Sequence, residues 1–511
     1  MMSPAVAGAA GRSPARRLRR AAGALAIVLP LVLPTPLIGA APASARSAPD
    51  SFADLAERLL PAVVNVSTTQ TIKTASGERG RHGPDIPQFP PGSPFEEFFK
   101  DFLERQQHGD RPDAPPRHAT SLGSGFIIDP AGYVVTNNHV VADADEITIT
   151  LHDDSTYKAK LVGRDVKTDL ALLKVDSKKP LTAVNWGDSD QTRVGDWVLA
   201  IGNPFGLGGS VTAGILSARG RDIQSGAYDD YLQTDASINR GNSGGPMFNT
   251  NGDVIGINTA IYSPTGGSVG IGFAIPASLA KPVIDQLKQY GKVRRGWLGV
   301  RIQTVTDELA ESLGLDKPRG ALVSSATENG PAAKAKIEPG DVILKFDGKD
   351  INEMRRLPRI VAETPIDKVV DVVVWRKKKE IPLKVQVGEL VESDQVAAAT
   401  PGPGNAPSAP AGSVTELGLQ LTAVNPQLRE KYGLADDAQG VLVTDVSDTS
   451  PAAEKGIKPG DIIVEVGQEE VKTPADVAAK IKAARDAKRK SVLLLVDQKG
   501  DLRFVAVRID S

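Results

Sequence analysis

Polar and apolar positions change rhythm several times along the chain. Residues 51–60, SFADLAERLL, place apolar positions at helical spacing, and the AVVNVSTT that follows reads as a strand. From Gly123 to Ile275 the runs are short and either alternating or wholly apolar. Examples are GFIIDPAGYVVTNN, EITITLHDD, LALLKVD, DWVLAIGN and DVIGINTAI, separated by Gly, Asp, Asn and Pro. That spacing predicts an all-β barrel or sandwich. The helical rhythm returns in SLAKPVIDQLKQYGK, where Gly291 is placed as a helix C-cap. Between about residues 75 and 118, prolines, glycines and charges predict a long surface loop, which carries an amphipathic piece, PFEEFFKDFLERQ.

The C-terminal part repeats itself. RGALVSSATENGPAAKAKIEPGDVILKFDG and QGVLVTDVSDTSPAAEKGIKPGDIIVEVGQ align Gly320, Pro331, Gly340 and Asp341 with Gly440, Pro451, Gly460 and Asp461. Between the copies lies AAATPGPGNAPSAPAGS, the composition of a flexible linker. The chain therefore reads as a β domain over 46–290 that includes a loop at 70–118. A first module follows at 291–390, a linker at 391–413 and a second module at 414–511.

Residues 1–45 read as a targeting segment. Arg12, Arg16, Arg17, Arg19 and Arg20 precede an apolar stretch from Ala21 to Ile38, and Ala43-Ser44-Ala45 fits a cleavage site. Pro30, Pro34 and Pro36 interrupt the apolar stretch, which disfavours a spanning helix. The expectation is an exported protein with no stable membrane span after cleavage; an uncleaved anchor is the alternative.

Composition narrows the chemistry. Acids and bases nearly cancel, leaving a formal net charge of −2, so there is no basic face to argue for nucleic acid. The chain has no cysteine, which excludes disulfides, thiolate zinc sites and a cysteine nucleophile. The five histidines, at 82, 108, 118, 139 and 152, show no metal-site spacing, and no cofactor is expected.

The sharpest motif is GNSGGPM, Gly241–Met247. A serine hydroxyl needs a base to take its proton and donors for the oxyanion. Glycines beside Ser243 let the backbone turn tightly, which can aim the Gly241 and Ser243 amides at one carbonyl. Of the histidines, His82, His108 and His118 fall in the Pro-rich stretch, and His152 opens a polar turn. His139 follows the strand YVVTNN and precedes Val140 and Val141, where it is held rigidly. Asp169 opens DLALLKV, an apolar run in which a carboxylate needs a partner. Asp165 and Asp176 compete with it but sit in more polar sequence. His139, Asp169 and Ser243 occur in the chain order of the chymotrypsin triad.

TNNHVV, TDLALLKV and GNSGGPM, followed by the two repeated modules, resemble the HtrA (Deg) family of serine proteases. The resemblance covers nearly all of the chain after the targeting segment. It implies a mostly β protein: a chymotrypsin-like double β-barrel protease domain followed by two PDZ domains. It also implies an oxyanion loop of Gly241, Asn242 and Ser243, a sensor loop at 217–230 and an activation loop at 262–270. Ile238, Ala260 and Ile261 should wall a specificity pocket, favouring cuts after small aliphatic residues such as Val or Ala. Trp297, Leu298, Gly299 and Val300 match the loop that captures a peptide C-terminus in the first PDZ domain. ELGLQLTAV (416–424) takes that place in the second, where peptide binding and a purely spacing role stay equally open.

The functional expectation is a periplasmic, ATP-independent endopeptidase acting on unfolded proteins and peptides. The resemblance implies accompanying chaperone activity and homotrimers or larger assemblies. The alternatives are a chaperone or peptide-binding protein, and a regulatory protease for one membrane client.

Overall fold

A computed structural model describes residues 49–72, 117–203, 209–239, 241–264, 267–390, 411–414, 417–435 and 438–509. The predicted targeting segment, the phenylalanine-bearing piece of the long loop and the linker up to residue 410 lie outside them.

Six strands close the first barrel: β1 (Val63–Ile72), β2 (Arg117–Asp129), β3 (Tyr133–Asn137), β4 (Glu146–Thr150), β5 (Thr156–Asp165) and β6 (Leu170–Val175), in the order β1-β2-β3-β6-β5-β4. Six more close the second: β7 (Trp197–Gly202), β8 (Ser210–Arg221), β9 (Tyr231–Thr234), β10 (Pro246–Phe248), β11 (Val254–Ile261) and β12 (Gly272–Pro276), in the order β10-β11-β12-β9-β8-β7. β6 is buried almost throughout because one face fills its own barrel and the other packs beneath a helix. Closure pairs each strand with a neighbour on both sides over at least part of its length.

The predicted helix forms as Ala277–Tyr290 and ends on Gly291 at φ 71°, a left-handed position that suits glycine. Ala280, Val283, Ile284 and Leu287 recur at helical spacing and are buried. This helix packs on β5 and β6 of one barrel and β11 and β12 of the other, so it fastens the pair. Val283, Ile284 and Leu287 each contribute about 1.5–3 kcal/mol by this burial. The first predicted helix, Ala53–Leu59, also belongs to the barrel pair, with Phe52 packed on Trp197 at 5.8 Å between ring centroids.

Two expectations are corrected here. β1 runs to Ile72 and β2 starts at Arg117, so His118 lies in a strand opposite Thr71 rather than in a loop. His139 stands on a one-turn helix, Asn138–Val141, immediately after β3 rather than at the strand end itself.

The repeat forms two further sheets. In the first copy the order is Val300–Thr304, Ala321–Ala326, Val342–Phe346, Val369–Arg376, Lys379–Gln386, with helices Asp307–Leu313 and Arg356–Glu363. In the second it is Ala411–Val414, Leu419–Ala423, Val441–Val446, Ile462–Val466, Ser491–Gln498, Asp501–Arg508, with the helix Pro474–Asp486. Ala411–Ser413, read from sequence as the end of a linker, is thus part of a strand. The copies dock on each other through Leu309, Leu313 and Leu322 of the first and Leu493, Leu495 and Phe504 of the second. Gln303 completes the seam: its Nε2 donates to the Phe504 carbonyl at 2.9 Å, and its Oε1 accepts the Phe504 amide at 2.8 Å.

Candidate active site

The site lies between the two barrels, and each barrel supplies part of it. His139 comes from the turn after β3, and Asp169 from the residue before β6. Strands β3 and β6 are paired, with Asn137 opposite Leu170, which brings the two side chains together. The His139 Nδ1 donates to Asp169 Oδ2 at 2.6 Å, and the His139 backbone amide donates to Asp169 Oδ1 at 2.9 Å. The carboxylate is thus held at both oxygens. It fixes the imidazole tautomer with the proton on Nδ1, leaving Nε2 as a base.

Asp169 itself adopts φ 54°, a left-handed conformation that Asp tolerates better than most residues. Its carbonyl accepts from the Asn138 amide at 3.0 Å and from Asn137 Nδ2 at 2.8 Å. Asn137 Nδ2 also reaches Thr259 Oγ1 at 3.1 Å on the other barrel. Asn137 is fully buried, so this side chain is a fixed clamp across the seam.

Ser243 sits on the turn between β9 and β10. Its hydroxyl donates to the Thr259 carbonyl at 3.2 Å. Gly244, at φ 86°, follows it where a Cβ would lie 2.2 Å from the Ser124 carbonyl oxygen and 2.3 Å from Thr136 Oγ1, so no side chain fits. The Asn242 amide donates to the Asn239 carbonyl at 3.0 Å. Asn242 therefore shapes the turn expected to form the oxyanion loop with Gly241 and Ser243.

Ser124 was not singled out from sequence. It is fully buried on β2, its amide donates to the Ser243 carbonyl at 2.9 Å, and its hydroxyl donates to the Gly241 carbonyl at 2.5 Å. The same hydroxyl accepts the Asn203 amide at 2.7 Å. The available signal was the triplet Gly123-Ser124-Gly125. A Cβ at Gly123 would meet Val140, and one at Gly125 would lie 2.8 Å from the Val135 carbonyl oxygen.

The competing aspartates are both engaged elsewhere. Asp165, expected in polar surroundings, is buried and paired with Arg295 and Thr168. Asp176 is exposed beside Lys160 and Lys174, whose hydrogen bonds hold its carboxyl below the ordinary value. Of the three expected pocket residues, Ile238 and Ile261 share one apolar cluster, and Ile238 covers Gly272, the pairing partner of Ile261. Ala260 packs in the other cluster, as adjacent strand residues face opposite ways.

The 217–230 segment meets the first repeated module. Asp222 pairs with Arg355 at 3.4 Å and Asp230 with Arg359, both basic residues at the helix Arg356–Glu363. In that module Leu298 is buried and Gly299 adopts φ 75°. Their carbonyls accept from the Ala332 and Thr327 amides, at 2.9 and 2.8 Å. Trp297 pairs with Gly388, and the short strand Gly296–Trp297 packs against the helix Arg356–Glu363 just before Val300–Thr304 begins.

Comparison with known proteins gives a consistent picture. The trypsin-like peptidase domain family matches residues 123–257, and PDZ domain families match residues 296–387 and 442–495. A probable periplasmic serine endoprotease DegP-like of Brucella suis biovar 1 (strain 1330) is 44% identical over 476 residues, covering 90% of each chain. One of the same description from Ectopseudomonas mendocina (strain ymp) is 44% identical over 485 residues, covering 94% of this chain and 98% of its own. Among solved structures, an HtrA-type protease AlgW with decapeptide is 42% identical with a TM-score of 0.54, covering 67% of this chain and all of its own.

Proposed function

The chain belongs to the HtrA (DegP-like) family of serine endoproteases, and from that premise we propose that it degrades unfolded proteins in the periplasm through Ser243, His139 and Asp169. The observation that carries this reading is the two-point grip of Asp169 on His139, tied across the barrel seam by Asn137 to Thr259, the residue whose carbonyl accepts the Ser243 hydroxyl. The periplasmic part is supported by the names of the relatives.

In this reading the Ser243 hydroxyl turns its proton from the Thr259 carbonyl to His139 Nε2. Its oxygen then attacks the scissile carbonyl carbon while His139 takes the proton. The Gly241 and Ser243 amides receive the negative oxygen of the tetrahedral intermediate. Collapse breaks the C–N bond, and His139 returns the proton to the leaving amine. Water, deprotonated by the same imidazole, hydrolyses the acyl-enzyme. Asp169 stays ionised and stabilises the imidazolium at both transition states.

Ile238 and Ile261 make the substrate wall apolar, favouring small aliphatic residues before the cut. The loop Trp297–Val300 captures peptide C-termini at the first PDZ domain. The domains run 46–290, 291–390 and 414–511, after a signal segment at 1–45, and the barrels assemble as trimers or larger assemblies. Chaperone activity accompanies proteolysis because the same peptide-binding surfaces serve both.

The test is digestion of reduced casein by the full chain and by Ser243→Ala, with cut sites mapped. Cuts after Val or Ala that vanish in the variant support the reading. Cleavage by a cleanly purified Ser243→Ala protein removes the assignment. Suppression of client aggregation by Ser243→Ala supports the chaperone part, and its absence removes that part alone.

A further inference from the structure

The repeat supplies an internal comparison. In the first PDZ domain the strand Val300–Thr304 pairs with Ala321–Ala326, and among the described residues no strand lies on its other edge. That edge, beside the helix Arg356–Glu363, is where a PDZ domain adds a peptide strand. The second copy reproduces the frame closely. Its strand Leu419–Ala423 carries a register shift at Gln420/Leu421, the counterpart of the shift at Arg301/Ile302. Gly418 at φ 68° stands for Gly299 at φ 75°, and its carbonyl accepts the Ser447 amide at 2.9 Å as Gly299 accepts Thr327.

One element has no counterpart. Ala411–Val414 pairs antiparallel with Leu419–Ala423 on the edge that the first copy leaves open. Ala411 faces Thr422, Gly412 faces Leu421, Ser413 faces Gln420 and Val414 faces Leu419. The helix Pro474–Asp486, which corresponds to Arg356–Glu363, packs against this added strand. The strand therefore lies between sheet edge and helix, in the groove itself. It runs toward the Gly418 turn, the direction a captured peptide takes.

We propose that Ala411–Val414 is the resident ligand of the second PDZ groove, a strand added in cis that closes the site to peptides from outside. Ala, Gly and Ser have weak strand preference, so the segment is extended because a row of unpaired backbone groups was available to it. The connection from Val414 to Leu419 is short, so the segment competes at an effective concentration on the order of millimolar. A peptide in trans meets an affinity reduced by the fraction of time the groove is open. The two PDZ domains then differ in readiness: the first accepts peptides directly, and the second does so only after its own strand leaves.

Hydrogen exchange on the full Ser243→Ala chain tests this region by region. The probe is the peptide APAGSV, residues 409–414 with a free carboxylate at Val414. In the chain without further changes, Leu419–Ala423 should exchange at least about tenfold more slowly than Val300–Thr304, and the probe should leave it unaltered. With Gly412→Pro and Ser413→Pro together, which remove two amides from the added strand, exchange in Leu419–Ala423 should accelerate. The probe should then restore protection. Equal exchange of the two strands in the unaltered chain overturns the proposal, as does protection by the probe that is the same with and without the prolines. Should the prolines also release Val441–Val446, the domain has unfolded, and the comparison within the unaltered chain decides. None of these readouts depends on the catalytic assignment.

Discussion

The Ser124 hydroxyl donates to the Gly241 carbonyl at 2.5 Å, so a residue of the first barrel holds the turn of the second that carries Ser243. Gly241 and Ser243 are the expected oxyanion donors, and Ser124 is bonded to the carbonyl of each. Removing its hydroxyl takes one hydrogen bond each from the part-buried Gly241 carbonyl and Asn203 amide, a loss of about 1 kcal/mol. Ser124→Ala should lower kcat about 10–100-fold with KM changed little, because the turn matters most when charge develops on the substrate oxygen. Steady-state kinetics on a short peptide substrate checks this. Unchanged kcat with a lowered Tm would make Ser124 a structural residue only.

Asp169→Asn probes the tautomer. Asn tolerates φ near 54° as well as Asp does, so the backbone should keep its path and Tm should move little. The amide can present its NH₂ to Nδ1 and place the imidazole proton on the wrong nitrogen. The expected fall in kcat is about 10⁴-fold. A fall below tenfold would mean that another group orients His139.

Arg295→Met tests a buried ion pair that links the first PDZ domain to the first barrel. Arg295 and Asp165 each expose only 7% of their side chains, so the deletion strands a carboxylate. A loss of about 3–5 kcal/mol is expected in denaturant unfolding, most of it recovered by adding Asp165→Asn. Equal stability of the single and double variants would show that Asp165 finds another partner.

The contact between the 217–230 segment and the PDZ helix should weaken with rising pH. Asp230 and Glu363 flank Arg359, with Arg219, Asp190 and Lys349 nearby. Partial burial pushes both carboxyls above their ordinary values despite the facing guanidinium. Docked, they keep protons to higher pH than they do once the contact opens. Their stabilisation is therefore fully present below the ordinary carboxylate range, about 4, and is lost as pH rises through the raised values. Protection factors in Arg356–Glu363, corrected for intrinsic exchange, should fall across that window, and Glu363→Gln should flatten the slope. A flat profile in the unaltered chain counts against the argument.

Most of the fold was legible because burial writes period and composition into a strand. LALLKV is apolar throughout because both faces of β6 are covered, and Gly291 marks a helix end by its left-handed turn. His139, Asp169 and Ser243 were nominated because each stands in a short motif and their chain order matched a triad, and the structure brings the first two into hydrogen-bond contact. Asp165 was misread because its partner lies 130 residues away, where no local pattern reports it. Ser124 was missed for the same reason, its role being set by a turn on the opposite barrel. Ala411–Val414 carries no strand signal at all, since its conformation is supplied by the edge it joins.

The seam has a consequence for the order of synthesis. His139 and Asp169 emerge with the first barrel, but Ser243 follows some seventy residues later, and its turn is anchored between β9, β10 and the strands after them. On the proposed assignment, a partly made or partly exported chain holds a base with nothing to activate, and neither barrel alone carries all three residues. On that assignment the enzyme is armed by completion of its own fold.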